Sequence, residues 1–183
     1  MKKLVILIML IALALITTGE TYAVDNSSGS SAALLKLTSI KSTDNRVKIL
    51  SEFLKQYNSP LSTYASDFVK SADDFDLDWK LVAAISGVES TFGQQIPFNS
   101  YNGWGWGIYG DNIIRFSSWE NGIETVSRGL RENYLNKWGA TDIYEIGRFY
   151  AASPTWASKV DYFMQKITQF QYQNLSNNLS ISL

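Results

Sequence analysis

From residue 44 to residue 170, apolar side chains return at helical spacing. Val47, Leu50, Leu54 and Tyr57 make the first such face, with Asp44 placed to cap it. Ser59-Pro60 opens a second segment in which Leu61, Tyr64, Phe68 and Ala72 share a side. Asp78 is placed to cap a third helix, Trp79 to about Phe92, closed by Gly93 with Pro97 beyond it. A capping box of Ser117 and Glu120 starts a fourth, whose apolar face is Trp119, Ile123, Val126, Leu130 and Tyr134. The fifth runs from about Asp142 to Tyr150. The sixth follows Ser153-Pro154 and carries the stripe Trp156, Val160, Phe163, Ile167 and Phe170.

Between the third and fourth helices the pattern changes. Gly103, Gly105 and Gly107 alternate with Trp104, Trp106 and Ile108, and Gly110-Asp111 reads as a turn. A short β-hairpin is expected here, with arms Trp104–Tyr109 and Asn112–Phe116. On a strand the large side chains would share one face and leave bare backbone on the other. Glycine weakens a strand, so three in alternation suggest a ligand lying close to the backbone. An aromatic plate edged with polar backbone suits a pyranose ring; equally, at least one of these tryptophans plugs the core. Tyr101 and Tyr109 carry the same two readings. The expected fold is a mostly α, α+β single domain of about six helices around a short hairpin.

The ends differ from the middle. Lys2 and Lys3, the apolar run Leu4 to Ile16, and Thr21-Tyr22-Ala23 form an export signal over residues 1–23. The run is short of the roughly 20 residues of a comfortable span. Whether it is cleaved or kept as an anchor, the rest of the chain faces away from the cytoplasm: extracellular, periplasmic or wall-associated. Residues 24–43 read as a Ser/Asn/Thr/Gly-rich linker, 44–173 as the one folded domain, and 174–183 as a polar tail.

Composition narrows the chemistry. Of 16 basic and 17 acidic side chains, Lys2, Lys3 and Glu20 leave with the signal, so 14 and 16 remain, a net charge of −2. That balance speaks against nucleic acid, which wants a concentrated basic face. No membrane insertion beyond the signal is expected, and the protein is expected to be a monomer. The chain has no cysteine and no histidine. Ser-His and Cys-His nucleophiles and His/Cys zinc sites are therefore excluded. Carboxylate, tyrosine and lysine remain for proton transfer, and no cofactor or metal is expected. The acidic run Asp73 to Asp78 fails the calcium-loop pattern, since Trp79 and Ile85 stand where Gly and an acid are needed, counting from Asp74.

On a helical wheel Leu81, Ile85, Val88 and Phe92 cluster, and Glu89 falls on their shoulder. A carboxyl half-turned into apolar surroundings holds its proton to higher pH, as the acid of glycosidic cleavage must. A solvated helix-edge glutamate is the plain alternative.

Val82-Ala-Ala-Ile-Ser-Gly-Val-Glu89-Ser90-Thr-Phe-Gly93 resembles the catalytic helix of the lysozyme-like superfamily, particularly lytic transglycosylases and bacterial glucosaminidases. Asn102-Gly-Trp104-Gly-Trp106-Gly107 resembles the glycine-rich substrate hairpin of that group. Phe116-Ser-Ser-Trp119-Glu120-Asn-Gly122-Ile123 resembles the helix start that follows it, and Phe149-Tyr150-Ala151-Ala152 the later helix bearing a site tyrosine. The resemblance covers roughly residues 60 to 170. The transglycosylase Gly-Leu-Met-Gln motif is missing, and Ala151 stands where Asn is usual, so the bond cut stays open.

The resemblance implies an enzyme that cleaves peptidoglycan glycan strands, with Glu89 as general acid and base and Tyr150 orienting the reacting sugar. Ser90, Tyr101, Asn102, Trp104, Trp106 and Asp111 are the expected substrate-binding residues. Cleavage of the MurNAc–GlcNAc bond by a lytic transglycosylase route is favoured over glucosaminidase or muramidase hydrolysis. A non-catalytic wall-binding module is the reading from another class. Asp111 is the best placed second carboxylate, ahead of Glu120 and Glu124.

Overall fold

The computed structural model describes the backbone of residues 44–107 and 112–180, with side chains as far as residue 174. The expected export signal and linker lie outside these residues, as do Ile108 to Asp111 at the expected hairpin turn. Six α-helices form the described part: α1 (Asn45–Gln56), α2 (Ala65–Asp74), α3 (Leu81–Ser90), α4 (Trp119–Gly129), α5 (Ile143–Tyr150) and α6 (Trp156–Ser180). A 3₁₀ turn, Pro60–Tyr64, precedes α2, and a π-helical segment, Leu130–Lys137, continues α4. No helix among the described residues is long and apolar enough to cross a membrane.

Local chemistry sets most boundaries. Asp44 accepts the Arg46 N–H at 2.9 Å and so caps as expected, while Asp142, where the fifth helix was expected to start, caps it by accepting the N–H groups of Tyr144 and Glu145 at 2.8 and 2.9 Å. The α4 cap lies one residue later than expected: Ser118, not Ser117, accepts the Asn121 N–H at 3.3 Å. Where a polar tail was expected from residue 174, α6 runs on to Ser180.

The third helix departs most from its wheel. It is not amphipathic; Leu81 through Gly87 are all buried, because α3 packs against α2, α4 and α6 at the centre of the core. Its end is abrupt. Thr91, Phe92 and Gly93 take φ of 53°, 56° and 82°, and the Phe92 N–H reaches back to Ser86 O at 2.9 Å. Left-handed backbone costs a non-glycine residue about 1–2 kcal/mol. Burying Phe92, worth about 1.5–3 kcal/mol, offsets much of that cost. Its ring sits 4.5 Å from Tyr57, 4.9 Å from Phe163 and 5.8 Å from Phe53.

No strand is seen among the described residues, and the expected hairpin is a correction. Gly105 and Gly107 take φ of 60° and 61°, which turns the chain instead of extending it. A side chain does the work of a partner strand. The Asn102 amide donates to Trp106 O at 2.9 Å and Ile114 O at 3.0 Å, and its Oδ1 accepts the Trp106 N–H at 3.0 Å. Trp104 and Trp106 consequently share no face.

Candidate active site

Glu89 lies in the last turn of α3, where the exposed carbonyl ends of the helix already disfavour a negative charge. Taken as a whole residue it is exposed. Its carboxyl is nonetheless packed on two sides, and that local packing governs the proton. The Trp156 indole N–H donates to Oε1 at 2.6 Å. On the other side, a Cβ at Gly105 would stand 3.1 Å from Oε2. Burial raises the Glu89 pKa above its ordinary value, and the Trp156 hydrogen bond pulls against that rise.

Gly105 is shared between the carboxyl and a cleft that Glu89 itself does not line. A recess of about 240 Å³ is lined by Gly105, Trp106, Asn133, Tyr134, Trp138 and Tyr150 among others. Its wall is aromatic: Trp106 lies 5.9 Å from Tyr134 and from Tyr150, and Tyr134 lies 4.7 Å from Trp138. The π-helical segment sets this wall. The Trp138 N–H bonds to Asn133 O at 2.9 Å, one residue further back than an α-helix would reach, which re-aims Tyr134 and Trp138 relative to α4.

Tyr150 closes the inner end. Its ring stacks on Trp156 at 4.5 Å with 20° between planes, and its hydroxyl donates to Trp104 O at 2.7 Å. Burial, then the charge of Glu89, push its phenol well above the ordinary tyrosine range, so it stays neutral. Glu89, Gly105, Tyr150 and Trp156 thus meet at one point.

The remaining expected site residues take other posts. Ser90 is buried, not open to a substrate: its Oγ lies 2.7 Å from Gly103 O and 3.0 Å from Ser86 O and accepts the Gly93 N–H at 2.9 Å. It ties the end of α3 to the loop. Asn102, 1 % exposed, is consumed by the loop bonds described above. Trp104 is fully buried, with its indole N–H donating to Val82 O at 2.9 Å, and is the tryptophan that plugs the core. All three side chains are buried and hydrogen-bonded within the protein. Trp106 faces the cleft. Tyr101 is exposed and set edge-on to Trp119 at 5.6 Å. Asp111 lies outside the described residues.

The residue that sequence reasoning missed is Trp156. Its place in the apolar stripe of α6 accounts for its ring, 3 % exposed, but not for its N–H. A buried indole needs an acceptor, and that need was the one available signal. Among the described residues no group of three or more Asp, Glu, His or Cys comes together to hold a metal ion. No protein-family model matches the chain, and no curated protein is significantly similar to it.

Proposed function

We propose that the protein cleaves peptidoglycan glycan strands, with Glu89 as the acid. The observation that carries the reading is the packed Glu89 carboxyl beside Gly105, a residue that also lines an aromatic cleft; burial disfavours its charged form. A hexose ring offers apolar C–H faces to Trp106, Tyr134 and Trp138, while its hydroxyls meet backbone bared at Gly105.

The chemistry needs one carboxylate. Protonated Glu89 gives its proton to the oxygen linking MurNAc to GlcNAc as the C1–O bond breaks. The acetamido group of the substrate stabilises the cationic C1. Glu89, now a base, takes the proton of the C6 hydroxyl as that oxygen closes on C1, giving a 1,6-anhydro end and restoring the acid. The neutral Tyr150 ring forms the wall against which the reacting sugar is oriented. Hydrolysis differs only in that water attacks C1.

The resemblance of the Glu89-Ser90-Thr-Phe-Gly93 segment to lytic transglycosylases favours the anhydro product. Incubation with purified peptidoglycan and mass spectrometry of released muropeptides tests it. Anhydro ends are the expected result; reducing MurNAc or reducing GlcNAc would reassign the bond or the acceptor. No product between about pH 4 and about pH 8 would leave a wall-binding module in its place.

A further inference from the structure

We infer that Trp156 is a positioning residue that holds the Glu89 carboxyl in one tautomer, with its proton on the oxygen facing the cleft. The inference rests on the proposed acid role of Glu89.

An indole N–H can only donate, so Oε1 at 2.6 Å must accept. In a protonated carboxyl the carbonyl oxygen is the better acceptor of the two. The Trp156 bond therefore favours C=O at Oε1 and places the hydroxyl on Oε2. Oε2 is the oxygen beside Gly105, which lines the cleft and offers no side chain to block it. The proton is thus presented toward the place where a leaving oxygen would lie.

The donor is itself fixed. Trp156 opens α6, its backbone N–H bonding to Ser153 O at 3.2 Å. Its ring is clamped from α5: Tyr150 stacks on one face, and a Cβ at Gly147 would meet the six-membered ring at 3.2 Å. Tyr150 is anchored in turn by the Trp104 carbonyl. The consecutive helices α5 and α6 and the distant 102–107 loop thereby converge on one carboxyl orientation. The titratable group facing Glu89 from α5 is Tyr150, and Tyr134 stands behind it from the π segment. Tyr150 is held neutral, its phenol pushed well above the ordinary range by burial and then by the charge of Glu89.

Trp156→Phe keeps a ring against Tyr150 and deletes the N–H. The expected result is a fall in kcat of about 10- to 100-fold with KM little changed. Because the lost bond opposed the upward shift of Glu89, the alkaline limb of the pH–rate profile should also move to higher pH. If the phenylalanine variant folds poorly, an isosteric benzothienyl residue at 156 removes the N–H alone. In the wild-type protein, the Trp156 indole ¹⁵N–¹H signal should titrate together with the Glu89 carboxyl carbon. A wild-type pH profile and kcat in a folded variant, or an indole signal indifferent to Glu89, would overturn the inference. The NMR measurement needs no turnover. Absence of products from the wild type together with a coupled titration would therefore sink the enzymatic reading while leaving the indole–carboxyl contact established.

Discussion

Gly105 offers the sharpest test of how the loop serves the carboxyl. Its φ of 60° means that Gly105→Ala must hold left-handed backbone, at about 1–2 kcal/mol. Gly139 sets the control: its φ is 73° and nothing lies within 4 Å of an added Cβ. Gly139→Ala therefore incurs the backbone cost alone. Both variants should melt about 3–8 °C below wild type. Only at position 105 does the new methyl meet Glu89, 3.1 Å from Oε2. Relief requires the carboxyl to retreat by a few tenths of an ångström, but Trp156 holds its other oxygen at 2.6 Å. With 1 Å of misplacement costing about 10²-fold in rate, Gly105→Ala should lose roughly 10-fold while Gly139→Ala keeps wild-type turnover. Muropeptide release at a temperature well below both transitions, beside calorimetry, reads the two effects separately. Equal rates in the two variants would refute the claim that bare backbone at 105 is there for the carboxyl.

Three further outcomes follow from the contacts. Glu89→Gln should abolish product release, and its effect on stability should depend on pH with a definite sign. Because the folded state raises the Glu89 pKa above 4.5, wild-type stability is full below that value and declines as pH rises through the folded pKa. Glutamine cannot ionise, so the variant should melt higher than wild type at about pH 7 and equally at about pH 4; equal melting at both would contradict a raised pKa. Ser90→Ala removes the tie among Gly93, Ser86 and Gly103. It should cost about 1–3 kcal/mol and speed hydrogen exchange at the Gly93 amide; an unchanged exchange rate there would show that the hydroxyl is not its acceptor in solution. Trp104→Phe removes the indole donor to Val82 O and opens a small void. A loss of roughly 2–3 kcal/mol in chemical denaturation is expected, and a near-neutral result would remove Trp104 from the core account.

Much of the helical order was legible because caps and apolar spacing are local properties. Asp44 caps where its position before an apolar stripe placed it, and the fifth helix starts beside Asp142 as expected. The stripes of α4 and α6 supply Ile123, Val126, Val160 and Ile167 to the core. Properties decided by more distant partners were not legible. The wheel gave α3 one apolar side, but a helix enclosed by α2, α4 and α6 is buried nearly all round, and only its last turn reaches the surface. The alternation of Gly and Trp matched a strand pattern, yet left-handed glycines and the Asn102 amide make turns of it. The π segment left no mark on the apolar period of α4. At the site, Glu89 stood out as a carboxyl on an apolar shoulder. Trp156 did not, because a stripe of hydrophobic residues hides the one polar atom that matters, and its partner is 67 residues away.

The loop amide described above also sets a limit on how the protein ages. Asn102 precedes Gly103, the neighbour least able to obstruct attack of the backbone nitrogen on the side-chain carbonyl, so this pair is intrinsically prone to deamidation. Burial and its four partners hold the amide away from that reaction while the loop is closed. Once hydrolysed to Asp, the side chain would lose both donors and turn oxygen toward the carbonyls of Trp106 and Ile114. A single chemical event, admitted by transient opening, would therefore unfasten the loop that carries Gly105 to Glu89.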